Sequence, residues 1–369
     1  MPKLINRVGN IDTTFLVLLL LVLAVGAVML FSASSVHAKH YTGDSFYHIK
    51  KQLLFIVLGL GAMYVVSLID YHYWEKFTWP IYVISMGLVA FSIIFNWGEP
   101  IKRWIRIGSF QFQPSEIAKL ALILAVVNLV IKFGDKKMHM FKYGILYIGV
   151  VAAPLIGLVL GTRHLSATII LLGMTAIIML AGGTQIRWFV LAAGAVAVGI
   201  YLIVYTDLIP YAGERIEIWL DPFIEEGYQT KQSLLAISSG GVLGLGLGNS
   251  RQKYLYVPEP QNDFIFAIIC EELGFVGATL IILLFCLLIW RGFTIAMRSA
   301  DVFGSLITVG IMGQIALQTF LNIAVVTNTI PNTGISLPFF SAGGTSLLML
   351  LAEVGILLSV SRYSRVDKS

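Results

Sequence analysis

Charge is scarce in this sequence. Only 12% of its 369 residues are charged, where soluble domains carry about 25%. So few charges cannot cover a soluble surface, and no soluble core absorbs a chain that is 57% hydrophobic. Cysteine is scarcer still. Cys270 and Cys286 lie in one apolar run, which excludes a disulfide framework and reads as two small buried hydrophobes. The six histidines are scattered, so no His/Cys cluster announces a metal and no Ser-His-Asp arrangement is suggested. The glycine-rich stretch GGVLGLGLGNS, residues 240–250, lacks the GK[ST] of a phosphate-binding loop and has no βαβ context. The net charge of +5 suits anionic lipid and carries no nucleic-acid signal.

What is abundant is long apolar runs. A bilayer-spanning helix needs roughly 20 such residues. The runs predict an all-α, polytopic membrane protein with about ten spans, at 12–33, 52–70, 77–96, 115–132, 143–161, 165–182, 187–206, 264–290, 302–326 and 343–361. Together they read as one integral membrane domain over 1–369. The first run is too long for the core of a signal peptide. Trp74, Trp79, Trp97, Trp188 and Trp290 fall near span ends, as an aromatic belt requires. Lys and Arg are denser in the segments that face inward when both termini are inside, so the expected orientation is N-in and C-in. The outer segments are nonetheless basic, which suits a polyanionic ligand.

One outer connection is long, residues 207–263 between spans seven and eight. It is rich in aromatics, and loops of this length are usually functional or disordered. Residues 229–239 read as a short interfacial helix, and the glycine stretch after them as a tight or re-entrant turn.

Four acids mark the end of this loop and the helix that follows: Glu259, Asp263, Glu271 and Glu272. Asp263 precedes FIFAII, where an N-cap belongs. Capping and an exposed catalytic role are both open for it. Glu271 and Glu272 lie roughly 12–14 Å further into the membrane. A charge at that depth costs about 2.5–3.5 kcal/mol, so each must be neutral, paired or facing a polar cavity. Helical geometry keeps them from both sharing the face of Asp263. Glu116 and Lys119 open span four at i,i+3 spacing, ready to pair with each other; Lys119 could equally reach a glutamate of span eight. Residues 328–355 form a turn-rich loop, then Gly343-Gly344 opening span ten. The three segments together suggest a polar cleft on the outer face.

These segments resemble the SEDS family of peptidoglycan glycan polymerases, which includes FtsW, RodA and SpoVE. The matching blocks are FSASS (31–35), KRWIRIGSFQFQPSEIAK (102–119), GYQTKQ…EELGF (227–275) and PNTGISLPFFSAGGTSLL (331–348). The VPEPQ wording and the ending VSRYSR are closer to the FtsW and SpoVE branch. TRHLSAT departs from the family's usual PDLGT, which puts His164 where an acid is usual. NDF stands for TDF, and SAGG for SYGG.

The resemblance implies a peptidoglycan glycosyltransferase of the bacterial cytoplasmic membrane, with its site on the extracytoplasmic face. It joins lipid II molecules with inversion into a β-1,4 glycan and releases undecaprenyl pyrophosphate, in division or sporulation. It implies Asp263 as the catalytic base. Arg103, Lys119, Arg251 and Lys253 become candidates for pyrophosphate contact, and Trp104 for packing on lipid or sugar. Glu116, Glu259 and Ser341 join the substrate-binding set. No cofactor is required, although Mg or Mn could help neutralise the pyrophosphate. The implied partners are a class B penicillin-binding protein and other divisome proteins. A lipid II flippase, a RodA-type elongation polymerase and a noncatalytic scaffold are the rival readings.

Overall fold

In a computed structural model of the chain, the residues described are 9–98, 102–107, 110–194, 217–224 and 227–363. The helices are α1 (Thr13–Thr42), α2 (Tyr47–Leu68), α3 (His72–Phe95), α4 (Pro114–Phe133), the single turn α5 (Asp135–Met138), α6 (Lys142–Gly161), α7 (Leu165–Ala181), α8 (Tyr228–Gly240), α9 (Ile265–Met297), α10 (Val302–Val326) and α11 (Gly344–Arg362). Seven of these are long and apolar enough to cross a membrane, and α7 is a shorter apolar helix. The protein is a polytopic, all-α membrane protein. Its only strands among the described residues are a small antiparallel hairpin, β1 (Ile105–Ile107) with β2 (Phe110–Phe112). Of the expected seventh span, residues 195–206 lie outside the described residues, as do 207–216 of the long loop.

α4 is the central helix. Its residues from Pro114 to Val130 are buried on nearly every side, as expected of a helix apolar all round. It packs against α3, α6, α7, α10 and α11. Ala118, Ala121 and Ala125 keep that surface small, which lets neighbouring backbones approach. α2 packs along α11, and α1 along α2 and α9. Side chains from Phe15 to Val360 join one hydrophobic core.

Two helices differ from the expected spans in an informative way. α1 runs 30 residues, to Thr42 rather than to residue 33, and closes on Gly43 in the left-handed region. At 1.5 Å per residue that is about 45 Å, against a hydrocarbon core of about 30 Å. α9 is 33 residues long but broken at Gly274, whose φ of 65° and ψ of −169° are not helical. The break frees backbone groups in the middle of an apolar bundle, and such groups need internal partners.

The glycine-rich turn supplies them. Leu245 N–H donates to the Glu271 carbonyl and Gly246 N–H to that of Glu272, both at 3.0 Å. Phe275 N–H donates to Gly241 O at 2.9 Å and Val276 N–H to Val242 O at 3.1 Å. Gly244 must be glycine here: its φ is +79°, and a Cβ would lie 2.2 Å from Glu272 O. The expected interfacial helix is α8, and the expected re-entrant turn is the stretch that mends α9. Both cysteines are free; Cys270 is buried as expected, whereas Cys286 is exposed on the outer surface of α9.

Candidate active site

Three segments meet at one end of the bundle. Asn322 on α10 donates through Nδ2 to Asp263 O at 2.7 Å and to Ile335 O at 2.6 Å, which ties the start of α9 to the 331–343 loop. Ser341 Oγ donates to Asn262 O at 2.7 Å and accepts from Leu337 N–H at 2.8 Å. Ala342 N–H donates to Gln261 O at 2.8 Å. Ser166, in the first turn of α7, donates to the carbonyls of Thr333 and Gly334. Ser341 is thus a stitch between two loops, with its hydroxyl used twice.

Asp263 does not cap α9. The helix starts at Ile265, the cap position belongs to Phe264, and no side-chain cap bond forms there. The capping reading fails by one residue: the bonded turn begins after the acid, and Ala267 N–H takes Phe264 O instead. Among the described residues no hydrogen bond to the Asp263 carboxylate forms. A Cβ on Gly334 would lie 3.2 Å from its Oδ2, so only glycine leaves this side of the carboxylate open. Burial pushes the Asp263 pKa up to about 6, with nearby Arg103 opposing and Glu259 adding to the rise.

Arg103 precedes the hairpin. Its Nε and Nη2 donate to Arg163 O at 3.2 and 2.7 Å, and its charge is felt by both Asp263 and His164. Arg163 occupies the left-handed region, φ 59°, in the tight turn from α6 to α7. His164, next to it, lies between Gln113 (Nε2 to Nδ1, 3.0 Å) and Ser115 (3.3 Å). Burial first, then Arg103 and Lys119, lower its pKa to about 3. The imidazole is therefore neutral at pH 7, where the resemblance expects an acid. Gln113, Glu116, Lys119, His164, Gln318 and Gly334 line a small polar cavity of about 40 Å³. Gly334 borders both this cavity and Asp263.

Several expected site residues have other partners. Lys119 pairs with Glu116 at 2.9 Å, both buried, and Glu116 also accepts from Ser346 Oγ at 2.9 Å. The i,i+3 reading holds, and the alternative partner in span eight does not. Lys253, expected at a pyrophosphate, is 3% exposed. Its ammonium donates to Glu272 Oε1 at 2.9 Å and Gly248 O at 2.5 Å. Ser32 Oγ, from the FSASS block, donates to the same Glu272 carboxylate at 2.6–2.7 Å. Glu271 accepts from Ser250 Oγ and from the N–H groups of Arg251 (2.9 Å) and Gln252 (3.3–3.4 Å). The two membrane glutamates therefore hold residues 250–253, on the path to Asp263.

Arg251 and Glu259 are exposed, and Trp104 is half-buried. Glu259 sits in the left-handed region and accepts from Asn262 Nδ2 at 2.7 Å. Sequence reasoning missed Asn322, Ser166 and Gln113. A lone Asn within an apolar span was the available signal for the first. Among the described residues no three His, Cys, Asp or Glu side chains converge as a metal site.

Comparison with known proteins adds a family. A model described as cell cycle protein, covering FtsW, RodA and SpoVE, matches residues 12–366. Stage V sporulation protein E of Bacillus subtilis is 40% identical over 361 residues, covering 96% of this chain and 98% of that protein. A probable peptidoglycan glycosyltransferase FtsW of Geobacter sulfurreducens is 39% identical over 367 residues, covering 96% and 97%. A solved chain described as "Structural coordination of polymerization and crosslinking by a peptidoglycan synthase complex" superposes with TM-score 0.81 at 27% identity, covering 97% of this chain and 99% of that one. RodA of Thermus thermophilus shares the fold, with TM-score 0.71 at 24% identity and coverage of 99% and 100%.

Proposed function

Because the chain belongs to the FtsW, RodA and SpoVE family of cell cycle proteins, we propose that its peptidoglycan glycosyltransferase activity runs on Asp263 as general base. The carrying observation is a carboxylate at the meeting of three loops that caps nothing and accepts no hydrogen bond among the described residues. A pKa raised to about 6 leaves it ionised at pH 7 yet basic enough to take a proton.

We read the substrate as lipid II, a disaccharide-peptide on a polyprenyl diphosphate. The acceptor sugar's hydroxyl gives its proton to Asp263. Its oxygen bonds to the donor's anomeric carbon from the face opposite the leaving group. The bond from that carbon to the diphosphate oxygen breaks, and the diphosphate leaves with the electron pair. An α-linked donor becomes a β-linked product.

Arg103 sits beside Asp263 electrostatically and is our first candidate for the diphosphate, with exposed Arg251 and half-buried Trp104 beside the loop path. Lys119 and Lys253 hold their helices and loops through Glu116 and Glu272. A divalent cation such as Mg²⁺ would ride on the substrate's phosphates, since such ions commonly need only one or two protein carboxylates. The density of Lys and Arg supports placing this end of the bundle outside the cytoplasmic membrane. A class B penicillin-binding protein is the partner we expect. The described peptidoglycan synthase complex supports it, and so does the exposed apolar face of α9 at Phe275, Leu280 and Leu283.

The test is Asp263→Asn, purified and supplied with lipid II. A general base contributes about 10²–10⁴-fold, so chain growth should fall by at least that lower bound while the protein stays folded. Near wild-type polymerisation would remove Asp263 from the chemistry and return a flippase to consideration.

A further inference from the structure

Of the four cations expected to meet a diphosphate, Lys119 and Lys253 are engaged with glutamates. Another basic site is built at the same end of the bundle. An open groove of about 470 Å³ lies between the last turns of α1 and the loop that leads to Asp263. Ser35, Val36, Lys39 and His40 form one wall, Ser45 lies beside them, and Tyr254 faces them. Its volume is in the range of small-molecule sites, roughly 300–1,000 Å³.

The groove is held open by the buried tether beneath it. Tyr254 follows Lys253, whose ammonium lies 3.4 Å from Ser32 Oγ and 2.9 Å from Glu272. Ser32 is one turn below Ser35 on α1. The tether therefore fixes the distance between the two walls. Among the described residues no carboxylate lines the groove. Among the described residues, neither Lys39 nor His40 has an acidic partner within 4.0 Å.

Height decides the ligand's class. At the other end of α1, Asp12 meets Arg291 at 2.7 Å, a charged pair suited to a membrane–water interface. Counting about 20 residues of hydrocarbon from Thr13 reaches Ser32. Ser35 to His40 then stand at the level of lipid phosphates. A simpler role for Lys39 and His40 is to complement the helix C-terminus, where cations are favoured. That role explains the two charges but not why Tyr254 and Ser45 face them across an open groove.

We propose that the Lys39–His40–Tyr254 groove is a binding site for a phosphate or diphosphate carried on a lipid. Lys39 supplies the charge, His40 and Ser45 supply donors, and Tyr254 covers the first carbons of the chain. The site rests on the glycosyltransferase reading only for its most interesting source, the polyprenyl diphosphate of donor and product. Bilayer phospholipid is the other source of the same chemistry.

The experiment measures binding, apart from turnover. Farnesyl diphosphate is titrated into purified protein by calorimetry, and protein is separately reconstituted in nanodiscs with and without phosphatidylglycerol to measure thermal stabilisation. Lys39→Met with His40→Gln removes at least one charge-assisted contact and should weaken farnesyl diphosphate binding by roughly tenfold or more. Lys39→Arg should retain it. Loss of the farnesyl diphosphate response identifies the reaction's own lipid. Loss of the phosphatidylglycerol response alone identifies the bilayer. Both responses unchanged in the double variant would overturn the proposal. Lipid II polymerisation by the wild-type preparation is read in parallel, so a failed glycosyltransferase reading and a failed groove give different results.

Discussion

Two buried Lys–Glu pairs and one unpaired Asp lie at the same end of this bundle. Glu116–Lys119 and Glu272–Lys253 are nearly inaccessible, and each glutamate also takes a serine hydroxyl. Asp263 keeps some exposure and takes no such bond among the described residues. The sequence made only Asp263 a candidate base, with Glu116 open to capping or substrate contact and Glu272 required to be neutral, paired or facing a polar cavity. The comparison separates them by satisfaction: a carboxylate whose lone pairs are filled holds structure, and one left open can accept a proton.

The largest effect that sharpens this contrast comes from cutting a pair. Lys253→Met leaves Glu272 charged and buried without its cation, which should cost about 3–5 kcal/mol. Thermal unfolding of the purified protein should show a clear drop. Asp263→Asn should show none. A raised carboxylate pKa means the fold disfavours the ionised form, so this group's cost appears as pH rises from about 4 through 6 and is complete at pH 7. Removing that charge should leave stability level or slightly higher. Equal losses from both substitutions would erase the distinction.

A smaller effect is expected at the mended break of α9. Gly244→Ala puts a Cβ 2.2 Å from Glu272 O at a φ of +79°. Overpacking of this kind typically costs about 1–3 kcal/mol. The change should also loosen residues 245–253, visible as faster amide exchange there than in α10. Uniform exchange across both would mean that the turn does not brace the site loop.

The apolar spans were legible because a run of about 20 residues has few other uses. Span nine was expected at 302–326, and α10 occupies Val302–Val326. The resemblance was legible for a different reason, since its four blocks include the loops that meet here. Three things were not legible. Ser34, His37 and Lys39 look like loop, yet α1 continues through them, with Ser34 and Ala38 buried and His37 packed against His48 of α2. The break at Gly274 is one residue in an unbroken apolar run, and only the turn at 241–246 explains it. Lys253 finds Glu272 at 19 residues' separation and Ser32 at 221, contacts that no local spacing encodes. Asp263 was the subtler case: a cap and a base share one sequence position, and a one-residue shift in the helix start decided against the cap.

The pH dependence of kcat/KM for lipid II polymerisation by the wild-type protein tests most directly whether an open carboxylate with a raised pKa drives chain growth. Below its pKa Asp263 holds a proton and cannot accept another, so activity should rise with pH through an apparent pKa near 6 and then level. An acid limb near 4, or a rate flat from pH 5 to 8, would contradict it.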